Sequence, residues 1–526
     1  MLLQLLNGVA AATTVTLRLT VYYFVRWLPL GPRYLPIIYA NFSAWIVCYL
    51  VAVASQPKHP RKIPSLGAKL LTLLMGWYDQ THVVISIWTF LINVLALLFA
   101  LDFVYRAEIL GSGNGVEFSR LGYVDDNSAR IVIRHSEISQ IFYQESGQSK
   151  WLNGPVTTST PESDFVSTLV LTGLERDTSY NYHTNTSLAG SFRTSSSSPK
   201  KWSLATSSCI KPGFPYNPAG SELRIPGLEH LSSHVSKSSI DMVLFLGDFI
   251  YIDLPARFGF SNEHYRNAYR QVYASPSWTQ ELQNTPWIHM YDDHEITNDW
   301  AANETGLWTD AMEPYFAYHH GGNPEPLAEK ATYYTFKKGD VAFFVMDTRR
   351  YRSPEEVEDG PGKTMLGESQ RKALEHWLKS ERGWKMVVSS VPFTRNWRGP
   401  ESIDSWAGYL WERQQLLEIM WATDGVVILS GDRHEHATTE FPSPDGTKSV
   451  VEFSTSPLSQ FFQPFDRQYR QIEDTDIELF SHPYGVSKFG VLKFDTTSRK
   501  TWHLDFELVV DGKEIWNKRI SLERKS

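Results

Sequence analysis

Residues able to hold cations recur at the ends of apolar runs through the middle of the chain. Cys209 closes WSLATSSC, and Asp248 and Tyr251 follow IDMVLFL in the string GDFIY. PWIHMY leads to Asp292, Asp293, His294 and Glu295, and VAFFVM leads to Asp347 and Arg349. WKMVV runs into Ser389 and Ser390, and GVVILS runs into Asp432, His434 and His436. Carboxylates and imidazoles from separate elements are the usual means of holding two metal ions a few ångströms apart. The thiolate of Cys209 and the phenolate of Tyr251 suit a trivalent iron. Singly, each residue has a plainer reading: an aspartate after a strand commonly caps a turn, a tyrosine packs, and a lone thiol is a buried hydrophobe. Asp347 alone could serve to pair with Arg349, and Arg352 could be a solvated charge. Recurrence in six places is what points to a site.

Runs of this length, bounded by glycine or polar residues, read as strands buried on both faces. Helical patterns fall between them, at 262–274, in GESQRKALEHWLKS with Leu374, Trp377 and Leu378 on one face, and in WERQQLLEIMWA. Alternation of this kind predicts a layered α/β unit over 202–526, with ligands at the carboxyl ends of its strands. Strands return after His436, with a hairpin at Asp511-Gly512, and the last segment is expected to close a second sheet. MLGE at 365–368 reads as a turn into a capped helix. His319-His320 reads as a loop end beside Gly321-Gly322 rather than a metal pair.

Upstream, residues 112–196 carry short alternating runs separated by turn residues, the pattern of a small β-sandwich. SSSSPK then links it to the α/β unit. Residues 1–106 differ in texture: 5–25, 34–53 and 82–100 are apolar and match a bilayer's thickness, giving two to three spans. The stretch 65–77 is too short to cross and suits an interface. Lys58, Arg61, Lys62 and Lys69 between the second and third spans outnumber Arg26 and Arg33 before them. Positive-inside bias therefore predicts a multi-pass membrane protein whose remaining chain is lumenal or extracellular. Sequons at Asn185 and Asn303 agree, Asn303 being the more plausible for its irregular polar setting. A net charge of −8 without a basic block argues against a nucleic-acid partner. Two cysteines, Cys48 and Cys209, exclude a disulfide framework.

The order Gly-Asp, Asp-His, Gly-Asp-x-His resembles the metallophosphoesterases, where the middle motif is usually Gly-Asn-His and the last Gly-His-x-His. Asp293 stands at the asparagine and Asp432 at the first histidine, which hardens that part of the site toward calcium, magnesium or manganese. With ATSSC, GDFIY, YDDHEITND, DTRRYRS and GDRHEH, residues 202 to about 495 resemble the PhoD-like alkaline phosphatase and phosphodiesterase family. The preceding sandwich belongs to that layout too. Its LTGLERDTSYNYH and GSFRT resemble the late strands of fibronectin type III modules, with Tyr180 or Tyr182 at the corner.

The resemblance implies a metallophosphoesterase-type α/β sandwich with a fibronectin-III-like sandwich before it; the transmembrane helical region at the amino terminus falls outside it and suggests a eukaryotic-style membrane-anchored member. The resemblance also implies a mixed centre of Fe3+ and Ca2+, with two divalent ions such as Zn2+ or Mn2+ as the alternative. Cys209, Asp248, Tyr251 and His434 would surround the iron. Asp248 would bridge to the divalent site, with Asp293 and Asp432 there and Asp292 as a further partner. His294 would bind phosphate or protonate the leaving oxygen, and Arg349, Arg352 and Asn298 would meet phosphoryl oxygens. No role follows for His436. The expected activity is metal-dependent hydrolysis of phosphate monoesters, diesters or both at a membrane-anchored site. The alternatives are a strict phosphodiesterase acting on a lipid or glycan head group and a non-catalytic, metal-stabilised binding protein. Substrate choice is expected to lie in the loops 396–406 and 461–482.

Overall fold

The computed structural model describes residues 2–55, 66–111, 113–397, 400–459, 468–471 and 475–524. They divide into two compact units: 1–112 with 213–222 and 253–257, and 113–212 with 223–252 and 258–526.

The first unit contains helices α1 (Leu2–Arg26), α2 (Gly31–Ser55), α3 (Leu66–Met75) and α4 (Val83–Leu110). Three stretches, of 24, 25 and 31 residues, are long and apolar enough to cross a membrane. At 10 residues α3 is too short to do so. Arg18, one of two charges in the first stretch with the terminal Arg26, gives Nε to Asn93 Oδ1 at 2.7 Å and its terminal nitrogens to Leu73 O and Thr89 Oγ1 at 2.9 and 2.8 Å. An arginine at such a depth is tolerated when polar groups of neighbouring helices take its donors, as here. The segment 213–222 packs on α4: Tyr216 Oη donates to Asp102 Oδ2 at 2.7 Å, and Phe103 meets the rings of Phe214 and Tyr216. Lys69 lies in α3, whereas Lys58, Arg61 and Lys62 lie outside the described residues.

The second unit opens with two antiparallel sheets. Strands 118–124, 128–134 and 166–172 form one, and 152–156, 140–145, 179–184 and 189–193 form the other. Tyr180 Oη accepts the Glu175 backbone N–H at 2.9 Å, fixing the corner, while Tyr182 Oη donates to Ser119 Oγ at 3.0 Å.

Two larger sheets follow. The first runs, in spatial order, Trp287–Met290, Met242–Leu246, Lys201–Ser207, Lys488–Asp495, Thr501–Val510, Lys513–Glu523. The second runs Tyr334–Lys338, Val341–Val345, Trp384–Val388, Val426–Ser430, Ser449–Thr455, His436–Pro442, Ile477–His482. Leu204, Leu244 and Ile288 of the first sheet share one apolar core with Phe343, Met386 and Leu429 of the second. Helices cover the outer faces, including Pro226–Lys237, Asn262–Tyr273 and Trp308–Tyr318 on one and Gly367–Ser380 and Leu410–Trp421 on the other. The result is a four-layer α/β sandwich.

The six strands that deliver polar or metal-binding groups therefore split three and three, parallel within each sheet. The last strands depart from expectation. Rather than closing a second sheet, they extend the first, antiparallel beside Lys201–Ser207. The hairpin at Asp511-Gly512 is present, with φ of 46° and 76°. Leu366 offers no side-chain cap to the helix beginning at Gly367, but Thr364 Oγ1 accepts the Gly367 N–H at 2.8 Å, and Glu412 accepts from the backbone N–H groups of Met365 and Leu366.

Candidate active site

Both sheets end their parallel strands at one edge, and the turns there are held in an uncommon backbone conformation. Cys209, Asp248, Asp432 and His434 all have positive φ, at 64°, 55°, 75° and 58°. Non-glycine residues persist in that region only where the surroundings over-determine them, as at functional sites. Gly247, at φ 106°, permits the close approach of two of these turns: a Cβ there would stand 2.6 Å from Asp292 Cβ.

Three side chains converge on Asp248. Its Oδ2 lies 3.4 Å from Cys209 Sγ and 2.9 Å from Tyr251 Oη, and Tyr251 Oη is 3.0 Å from His434 Nε2. Ligand atoms of Cys209, Asp248 and His434 lie within 4.8 Å of one another, as do those of Asp248, Asp292, Asp293 and Asp432. Asp248 is common to both groups, in the position of a carboxylate shared by two ions. Asp299 and Asp404, which sequence reasoning did not single out, bring further carboxylates within 4.8 Å of Asp293.

Burial, with Asp293 beside it, drives the Asp248 carboxyl well above its ordinary range. Burial likewise raises Asp292 and Asp432, each among other carboxylates. The Cys209 thiol and Tyr251 phenol are pushed well up by burial and by Asp248, and burial holds His434 well below the usual imidazole value. So many buried acids cannot ionise together unless cations offset them, and a bound cation inverts this logic outright. Asp292 Oδ2 and Asp432 Oδ2 are buried and lack any hydrogen-bond partner among the described residues. Orphaned oxygens of that kind call for a ligand. Thiol, phenol, imidazole and carboxylate donors with two orphaned oxygens fit a pair of metal ions.

His294 lies beside this centre, its ring 4.1 Å from that of Tyr251, and its N–H donates to Asp293 Oδ1 at 2.9 Å. Asn298 is exposed, and its Nδ2 donates to Asp299 Oδ2 at 2.6 Å. Arg349 and Arg352 are fully buried. Arg349 donates from Nε to Asp292 Oδ1 at 2.5 Å and from both terminal nitrogens to Asp404 at 2.7 and 3.0 Å. Arg352 also donates to Asp404 and, at 3.3 Å, to Glu355. The structure thus surrounds both guanidinium forks with carboxylates of the chain. Asp347 holds no arginine side chain; its Oδ1 accepts the backbone N–H groups of Arg349 and Arg350 at 2.9 Å each.

Three residues missed in the sequence hold the ligand turns. Glu295 accepts the N–H groups of Asp248, Phe249 and Asp292 at 3.0, 2.6 and 2.8 Å, tying two ligand turns together. Burial raises its carboxyl to about 7 despite those donors. Lys488 Nζ donates to Ser456 O at 2.8 Å and His434 O at 3.4 Å. Asp404 is the third. Its only sequence signal was as one of two acids, with Glu401, in a loop assigned to substrate choice.

Other expectations resolve away from the centre. His319 stacks on His289 with ring centroids 3.7 Å apart and belongs to no candidate metal group among the described residues. His436 is buried, its ring nitrogens 2.9 Å from Thr455 Oγ1 and 3.0 Å from Thr438 Oγ1. Asn303 gives both amide hydrogens to the chain, to Arg350 O at 2.7 Å and Arg352 O at 2.9 Å. That nitrogen is engaged in the fold; Asn185 is exposed, with its own Nδ2 3.5 Å from Ile138 O. Part of the loop 461–482 lies outside the described residues.

Solved structures resemble this architecture across most of the chain. One titled as the structure of PhoD superposes with a TM-score of 0.60 at 17% identity, covering 77% of this chain and 88% of its own. A purple acid phosphatase, PPD1 from yellow lupin seeds, gives 0.55 at 12% identity, covering 77% and 74%. The fold is that of the metallophosphoesterases. The model of the PhoD-like phosphatases matches residues 205–506, and the chain belongs to that family. Alkaline phosphatase D of Bacillus subtilis (strain 168) is 28% identical over 250 residues, a match spanning 38% of this chain and 42% of that protein.

Proposed function

We propose that this chain is a metal-dependent phosphoric ester hydrolase acting on phosphate monoesters, diesters or both. The observation that carries this reading is the convergence of Cys209, Tyr251 and His434 on Asp248, beside the orphaned oxygens of Asp292 and Asp432. Family membership supports it. Cys209, Asp248, Tyr251 and His434 would hold one ion, and Asp248, Asp292, Asp293 and Asp432 the other. Bound there, two cations would polarise the phosphoryl group and supply a nucleophilic water at neutral pH. The thiol and phenol favour ferric iron at the first position and the carboxylates a hard ion such as calcium at the second.

The chain's own groups do the rest. His294 protonates the leaving oxygen from its place beside Asp293, and Asn298, on the exposed rim, donates to phosphoryl oxygens. Arg349 and Arg352, roles expected from sequence at the ester itself, reach it instead through Asp292 and Asp404. We read the seven-stranded module at 118–193 as fibronectin-III-like, supported by its strand order and the Tyr180 corner. The three apolar stretches and the basic segment Lys58–Lys69 favour a membrane-anchored enzyme facing the lumen or exterior. The substrate class is then a phosphate ester, free or linked to lipid or glycan.

The test is hydrolysis of p-nitrophenyl phosphate and bis-p-nitrophenyl phosphate by purified protein, with metal analysis of the same preparation. Turnover of either with two metals per chain supports the proposal. Turnover of the diester alone selects a strict phosphodiesterase. Metals with neither activity would leave a binding protein.

A further inference from the structure

Asp404 comes within 4.8 Å of Asp293 and Asp299, and its hydrogen bonds run to two arginines. It lies in the 3-10 turn Pro400–Asp404 and is 2% exposed. Its two oxygens take both terminal nitrogens of Arg349, and Oδ1 also takes one from Arg352. Arg349 is thereby fixed so that Nε faces Asp292 Oδ1 at 2.5 Å. Ser390 Oγ donates to the same oxygen at 2.6 Å. Two donors saturate Oδ1, and Oδ2, buried and without a partner, is the oxygen left over.

We infer that Asp404 is a positioning residue for the second cation: through Arg349 it locks the Asp292 carboxylate so that only Oδ2 is offered to the metal. The inference rests on Asp292 as a cation ligand in the proposed hydrolase. A carboxylate with one free oxygen binds through one bond in a set direction; if Arg349 drifts, the group can turn or chelate through both. Partners that orient a ligand in this way typically change metal affinity 10–100-fold when removed. The alternative, that Arg349 and Arg352 form a phosphate fork, requires Asp404 to leave a site from which solvent is excluded.

The experiment uses full-length protein in detergent, stripped of metal and titrated with Ca2+ or Mn2+ by calorimetry, with folding followed by circular dichroism. Asp404→Asn should weaken the second cation by about 10–100-fold. Asp404→Glu should restore part of that loss, and Ser390→Ala should weaken binding by a smaller factor. With metal in excess, KM for p-nitrophenyl phosphate should stay near the wild-type value. Folded Asp404→Asn with wild-type metal affinity overturns the inference, and a raised KM in that case assigns the arginines to phosphate. Should Asp404→Asn fail to fold, Ser390→Ala decides alone, and unchanged affinity there is equally fatal. Because affinity is read without substrate, a wild-type protein that binds metal but hydrolyses nothing removes the hydrolase reading and leaves this one standing.

Discussion

The phenolic oxygen of Tyr251 lies 2.9 Å from Oδ2 of Asp248, only three residues earlier in the chain. One turn of loop thus aims a phenol and a carboxylate at a single point, with the Cys209 thiol 3.4 Å from the same oxygen. Burial and Asp248 hold the phenol protonated in the absence of a cation, and only a highly charged ion reverses that. The metal-loaded protein should therefore be coloured by ligand-to-metal charge transfer. Tyr251→Phe should bleach or shift the band, and Cys209→Ala should lower iron content and activity together. Full activity in colourless, iron-free protein carrying zinc or manganese would rule iron out.

His294 stands against the Tyr251 ring with its backbone N–H on Asp293. His294→Ala should keep the metals yet slow hydrolysis by about a hundredfold, the scale of a lost general acid. The deficit should shrink for esters with good leaving groups. An equal deficit across a leaving-group series would assign His294 to phosphate binding instead.

Glu295 receives three backbone N–H groups from two ligand turns, and a glutamine there offers one oxygen and turns an NH2 toward a donor. Glu295→Gln should cost about 1–3 kcal/mol in stability, the range for a buried donor left unpaired. It should also lower occupancy of both ions at once, read by thermal unfolding and by metal analysis. Loss of one ion alone would contradict the shared anchoring.

His320, largely buried, has its imidazole pushed down to about 4 from 6.5, chiefly by burial and with Arg130 and Arg350 adding to it. The unfolded chain takes up this proton near 6.5 and the folded chain does not until about 4. Its contribution to stability is therefore complete above pH 6.5 and disappears as pH falls toward 4. One proton of difference makes a slope of about 1.4 kcal/mol per pH unit. Denaturant unfolding of His320→Gln should show that much less acid sensitivity across this window. Parallel pH profiles for the two proteins would show that the residue does not titrate there.

Orientation is testable on sealed microsomes. With the segment 58–69 cytoplasmic, everything beyond α4 should resist added protease until detergent is present, and Asn185→Gln should remove a glycan-sized mobility shift. Digestion without detergent reverses the topology.

The candidate ligand set was legible because each of its residues follows an apolar run buried on both faces, a pattern that survives without tertiary information. The division of those runs between two sheets was not legible. Val341–Val345 and Met242–Leu246 are equally apolar, and nothing local tells which neighbour each pairs with. The strand Leu152–Val156 escaped notice because its Leu-Asn-Gly-Pro-Val has no alternation and carries a proline. The forks of Arg349 and Arg352 looked available to phosphate because their carboxylate partner, Asp404, lies more than fifty residues away. Glu295 stood in plain view within Asp-Asp-His-Glu, but a residue that grips backbone leaves no signature of its own.

Because the strands leading to Cys209, Asp248 and Asp292 belong to one sheet and those leading to Arg349, Ser390 and Asp432 to the other, the site straddles a seam. Tyr251 meets His434, and Asp292 meets Arg349 and Ser390, only across it. Each half-set is rigid within its own sheet, so the gap between the halves is governed by how the facing rows of Leu204, Leu244, Phe343 and Met386 mesh. The core thus works as a gauge block. Enlarging or trimming one of those side chains, remote from any ligand, would alter the span between the half-sets while leaving each intact. Within one ligand alphabet, the packing of a dry interior could then tune which pair of ions the protein prefers.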